Sequence, residues 1–136
     1  MKKILILALG ALAMISCAKQ PCDARHTCWA YDATIYELNT RQATPEGTFA
    51  AAEALLPEIK ESGVATIWLM PIQKIGVLER KGTLGSYYAI TDYCEFNPEF
   101  GTRADFEHFL AKAHELGMKV ILDWVANHTA PDSEWT

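Results

Sequence analysis

A carboxylate, an amide and an imidazole stand close together in Asp123-Trp124-Val125-Ala126-Asn127-His128-Thr129. They follow directly on the apolar run Val120-Ile121-Leu122. A carboxylate at the end of a buried strand costs free energy unless it is paired or hydrogen-bonded. These groups therefore either build a site or make a structural salt bridge and cap the loop. A second cluster lies upstream, where Tyr87 and Tyr88 precede Asp92 and Tyr93 in Gly85-Ser86-Tyr87-Tyr88-Ala89-Ile90-Thr91-Asp92-Tyr93.

For the two clusters to meet, regular elements must carry both to one rim. Ala33-Thr34-Ile35-Tyr36-Glu37-Leu38 is rich in β-formers and predicts a strand. Thr44 is a candidate N-cap with Pro45 at the first helical position, predicting a helix to about Ser62. Phe49, Leu55, Leu56 and Ile59 give it an apolar face. Pro57 kinks or divides it, and Gly63 closes it. Residues 64–70 are a near-continuous apolar run that suits a parallel strand covered on both faces. Residues 72–98 read as a long irregular loop, a length usually tied to function. Thr102 then caps a second helix, with Asp105 three residues on as an acidic variant of the capping box. Phe106, Phe109, Leu110, Ala113 and Leu116 make its apolar stripe, Gly117 stops it, and His108 and His114 fall on its surface. Residues 119–125 predict the last strand, and 126–136 a loop.

The order β-α-β-loop-α-β implies parallel β-α-β units, as in a barrel or a doubly wound sheet. A Gly-x-Gly-x-x-Gly after a strand is absent, so a dinucleotide site has no support. Three parallel strands leave two open edges, and a full (β/α)8 barrel takes about 250 residues. The expected fold is therefore α/β, a partial (β/α)8 barrel of about the first three strands and two helices, truncated. Trp68 and Trp124 read as barrel packing.

The Asp-x-x-x-Asn-His spacing from Asp123 to His128, after Gly117-Met118-Lys119-Val120-Ile121-Leu122, resembles the first signature region of the α-amylase family, glycoside hydrolase family 13. The segment 85–93 resembles that family's tyrosine loop. Asn97-Pro98-Glu99-Phe100-Gly101-Thr102 resembles the lead into its second helix. Ile35-Tyr36-Glu37-Leu38 with Thr44-Pro45-Glu46-Gly47-Thr48 is similar to its first strand and helix start. The resemblance covers residues 33–136. One departure stands out: many members have His-Gly-Tyr where this chain has Ser86-Tyr87-Tyr88.

The resemblance implies a retaining hydrolase of α-glucosidic bonds in starch or maltooligosaccharides. Asp123 would help hold the sugar site, and His128 would bond hydroxyls of the sugar at the cleavage point. Tyr88, favoured over Tyr87 by its register with Asp92, would stack on that sugar, ring face against the apolar C–H face of a pyranose. Asp92 would brace the loop. Asn127 would give an oxygen to a structural calcium, or else only cap its loop. Retaining hydrolysis needs two carboxyl groups about 5 Å apart; the family carries them on the fourth and fifth strands. This chain is thus expected to be inactive alone. An α-glucan-binding surface lipoprotein, a transglycosylase and an oligosaccharide glucosidase stay open as alternatives. An Arg-x-Asp motif on a fourth strand and a glutamate ending a fifth would favour an enzyme.

The N-terminus reads as an export signal. Lys2 and Lys3 precede an apolar run from Ile4 to Ile15, shorter than the roughly 20 residues that span a bilayer. Met14-Ile15-Ser16-Cys17 resembles a lipobox, which implies lipidation of Cys17 and a bacterial membrane anchor, periplasmic or at the cell surface. Met14 departs from the usual leucine, which leaves plain secretion open. Residues 1–17 are thus a signal, 18–32 a tether, and 33–136 the domain. Cys22 and Cys28 either pair in an oxidising compartment or stay free. The formal net charge of −5, with no basic stripe, argues against nucleic acid as a partner.

Overall fold

The computed structural model of the chain describes residues 27–136. The export segment, Cys17 and Cys22 lie outside the described residues, as does most of the tether. The chain divides into two units, Met1–Asp32 and Ala33–Thr136. In the first, Cys28–Ala30 form a 3-10 turn and Cys28 is disulfide-bonded. In the second, Cys94 is free and exposed. No helix among the described residues is long and apolar enough to cross a membrane.

The second unit runs β1 (Ile35–Leu38), α1 (Thr40–Ala43), α2 (Phe49–Glu53), α3 (Leu56–Glu61), β2 (Thr66–Leu69), β3 (Gln73–Ile75), β4 (Ile90–Phe96), a 3-10 turn at Pro98–Phe100, α4 (Arg103–Glu115) and β5 (Lys119–Leu122). β1, β2 and β5 make a parallel sheet in that order. Tyr36, Ile67 and Val120 share one row, Glu37, Trp68 and Ile121 the next, and Leu38, Leu69 and Leu122 the third. Side chains alternate between faces along a strand. Leu38, Ile67, Leu69 and Val120 therefore turn toward the helices, and Glu37, Trp68 and Ile121 turn the other way. On the helix side Phe49, Ala52, Leu56, Phe109, Ala113 and Met118 cover Leu38, Ile67 and Leu69, while Tyr36 and Leu122, at the sheet's edge strands, stay exposed. Phe49 lies at its centre, edge-on to Phe96, Phe100 and Phe106. The expected partial barrel is present as three parallel strands with helices over one face.

The second helix forms as its sequence predicts. The Thr102 hydroxyl accepts from the Asp105 amide (3.3 Å), and the Asp105 carboxylate accepts from the Thr102 amide (2.7 Å). The Thr102 hydroxyl also donates to the Asp105 carboxylate (2.7 Å), and that bond first, then the one from the Thr102 amide, holds the Asp105 carboxyl below its ordinary value. The first helix differs from expectation. Thr44 does not cap it: its hydroxyl accepts from the Gly47 amide (3.1 Å) and closes a turn, with Gly47 at φ +64°. Thr48 is the cap, accepting from Ala51. The division near Pro57 is real, since α3 carries that proline in its first turn, where no amide donor is needed.

The long irregular loop is also corrected. It contains an antiparallel hairpin, β3 against β4, with irregular register at Gln73, Lys74 and Ile75. Ile75 and Ile90 are buried in it, and Phe96 packs against the helical core. The irregular pairing breaks the strict alternation by which a strand is recognised.

Candidate functional site

The parallel ladder continues one step past β5, because the Asp123 amide donates to the Leu69 carbonyl (2.9 Å). Alternation then puts Asp123 on the face of Ile121, Trp68 and Glu37, at the C-terminal rim of the sheet. The tyrosine loop reaches the same rim. The Tyr88 hydroxyl donates to Asp123 Oδ2 at 2.9 Å, across 35 residues of sequence. The loop turns at Gly85 (φ +69°), and the Tyr88 amide donates to the Ser86 hydroxyl (3.2 Å). The bond to Asp123, first, and then burial and the charges of Asp123 and Glu37 raise the Tyr88 phenol above its ordinary value. Ionisation would break the bond and set anions side by side. Tyr88 thus stays a neutral donor with its ring fixed. A carboxylate accepts at two oxygens, so Asp123 can hold Tyr88 through Oδ2 and receive a ligand hydroxyl at Oδ1.

His128 follows on the same loop and is exposed. Asn127 Nδ2 lies 3.2 Å from His128 Nδ1. An amide nitrogen only donates, so in this pairing Nδ1 accepts and Nε2 carries the proton. The two residues line a cavity of about 420 Å³ with Tyr93, Trp124 and Trp135. Tyr93 secures this loop from β4: its hydroxyl donates to the Val125 carbonyl (2.6 Å) and lies 3.0 Å from that of His128. Trp135 stacks on the Tyr93 ring at 4.8 Å, and Trp124 tilts against it at 5.3 Å. In this part of the barrel Trp124 is 65% exposed and Trp68 36%. Asp92 turns back on its own strand, where Oδ1 accepts from the Cys94 amide (2.8 Å).

Asn127 offers one oxygen to a cation. Calcium takes six to eight, and among the described residues no group of three or more His, Cys, Asp or Glu side chains is placed to hold a metal. The described residues do not by themselves make a calcium site.

Structure brings Tyr88 to Asp123, while His128 lines a cavity to which neither of them contributes, and it adds groups that the sequence did not single out. Glu37 contributes charge beside Tyr88. Asn39 donates to the Tyr87 hydroxyl (3.2 Å). Tyr93 supports the His128 loop. Only Glu37 carried a signal, as an acid in a strand otherwise rich in β-formers. The contacts of Asn39 and Tyr93 span 48 and 32 to 35 residues and leave no local pattern.

Comparison with known proteins gives the family of the chain. The α-amylase from Lactobacillus plantarum superposes with a TM-score of 0.74 at 53% identity, over 75% of this chain and 24% of that one. The α-amylase MalA of Haloarcula japonica is 37% identical over 83% of this chain and 16% of its own length. The α-glucosidase of Apis mellifera is 30% identical over 99% of this chain and 23% of its own. The chain thus spans less than a quarter of each of these relatives, and its three parallel strands are part of a (β/α)8 barrel. The family model for the α-amylase catalytic domain matches residues 32–136, and the chain belongs to that family.

Proposed function

We propose that the whole protein is a retaining α-glucosidic hydrolase acting on starch or maltooligosaccharides, and that this chain supplies the Tyr88, Asp123 and His128 side of its sugar site. The observation that carries this reading is the 2.9 Å bond from Tyr88 to Asp123. It fixes an aromatic face and a carboxylate at the strand ends, where barrel sites lie. Tyr88 stacks on the apolar face of a glucosyl unit, Asp123 accepts a hydroxyl, and His128 donates from Nε2. The two carboxyl groups of the reaction, about 5 Å apart, belong to strands outside this chain. The chain's own part is to bind and orient.

The test is a titration of this chain with maltotriose, followed by NMR and by release of reducing sugar. Shifts at Tyr88 and His128 without release are expected. Release above a blank would place the catalytic carboxylates within this chain, and an absence of binding would remove the sugar site. A whole protein that binds glucan and never cleaves it would turn the reading to a surface glucan-binding protein.

Two further readings belong to the proposal. Lys2-Lys3, the apolar run and Ser16-Cys17 support export with lipidation at Cys17 and a bacterial membrane anchor. Incorporation of labelled fatty acid, lost in Cys17→Ser, checks it. In the whole protein Asn127 would give one oxygen to a structural calcium; a chelator that leaves the melting temperature unchanged counts against that.

A further inference from the structure

We propose that Arg41 is a positioning residue for Tyr88: with Glu99 it clamps the loop that carries the ring, and Tyr88 meets Asp123 only while that clamp is closed. The purpose of the clamp rests on the sugar-site reading above; its existence does not.

Arg41 lies in α1, directly after β1. Its Nε and Nη2 both reach Glu99 Oε2, at 3.1 and 2.7 Å. Nη1 donates to the Gly85 carbonyl (3.1 Å) and Nη2 to the Leu84 carbonyl (3.2 Å). The guanidinium carbon lies 4.2 Å from the centre of the Tyr87 ring. The side chain is only 13% exposed. One planar group thus holds a carboxylate, two backbone carbonyls and an aromatic face. A guanidinium does this with its rigid fork of donors, and an ammonium lacks the geometry.

Both ends of the clamp are themselves fixed. Glu99 sits in the Pro98–Phe100 turn, whose start is capped by Asn97 Oδ1 accepting from the Glu99 amide (3.1 Å). Phe100 anchors that turn in the core. On the loop side, the clamped carbonyls come three and four residues before Tyr88, and the stacked ring is its immediate neighbour. Asn39 adds a bond to the Tyr87 hydroxyl. Tyr87 thus supplies the surface on which Arg41 rests.

The experiment follows the Tyr88–Asp123 bond itself, by NMR titration of ring-labelled tyrosine in the full chain. Tyr88→Phe assigns the signal. Asp123 and Glu37 are the charges that face this phenol. In the wild-type chain Tyr88 titrates above the other tyrosines. In Arg41→Met and in Glu99→Gln it is expected to fall toward the ordinary value while thermal unfolding stays cooperative. An unmoved Tyr88 titration in either folded variant overturns the proposal; if Arg41→Met does not fold, Glu99→Gln decides alone. Ala113→Gly, a buried position in the last turn of α4, serves as a control that loosens the fold away from both ends of the clamp. An equal fall there would reduce the effect to general destabilisation and also overturn it. A chain that fails to bind maltotriose, yet whose Tyr88 titration depends on Arg41, retires the sugar reading and leaves the clamp standing.

Discussion

The two faces of the parallel sheet are built from similar residues and end in opposite states. On one, Leu38, Ile67 and Leu69 are buried beneath α2 and α4 with five phenylalanines in or against the same core. On the other, which faces the interior of the barrel, three strands alone leave Glu37, Trp68 and Ile121 uncovered, with Asp123 at their rim. The apolar content of a strand therefore does not say which of its faces holds the fold together. The helices decide that, and they cover one side. Within these three strands the packed core lies on that side, and the polar and aromatic groups of the rim lie off it.

Substitutions can break or sharpen this contrast. The largest effect is expected from Phe49→Ala. Its ring touches Phe96, Phe100, Phe106 and Phe109, and truncating such a buried aromatic costs about 3–5 kcal/mol. That is a large share of a small domain's stability, so loss of the cooperative melting transition is the outcome to look for. Next comes Thr102→Ala, which removes the α4 cap at about 1 kcal/mol. Its midpoint in denaturant should drop with an unchanged slope. The capping acid adds a pH signature. Asp105 is depressed in the folded chain, so its contribution is present above the ordinary aspartate value and fades as pH falls through the lower folded one. Asp105→Asn should flatten that acid limb.

On the open side the effects should shrink. Tyr88→Phe removes one partly exposed hydrogen bond, about 0.5–1.5 kcal/mol. Its clearer mark is at alkaline pH. The Tyr88 phenol is raised in the fold, so its contribution is complete below the ordinary tyrosine value and is lost as pH climbs through the higher folded one. The variant should lack that alkaline loss, seen by circular dichroism against pH. Trp124→Ala, at a 65% exposed ring, should change stability by no more than about 0.5 kcal/mol. A cost near that of Phe49→Ala would show that the rim loop is packed as tightly as the helix side.

The same contrast explains what was legible in the sequence. α4 could be read whole, because its cap, stripe and glycine stop act within a few residues of one another. The three parallel strands were legible as apolar runs, and Asp123 and Tyr88 through motifs. The first helix cap was misplaced because Thr44 and Thr48 both precede the apolar face; a turn closed by Gly47, not residue preference, separates them. The hairpin was missed because its register slips twice. Arg41 was invisible for another reason. Its partners lie 43, 44 and 58 residues away, and no periodicity encodes contacts that only tertiary folding creates.

The hairpin has one more consequence. β4 leaves the tyrosine loop at buried Ile90 and ends at Phe96, and the Asn97 amide donates to the Ile72 carbonyl (2.8 Å) just beyond. The loop is thereby tethered at its far end to the same interior that stabilises the helices. Under the proposed function, a glucosyl ring approaching Tyr88 would meet a surface already stiff before contact, so little freedom remains to be lost on association.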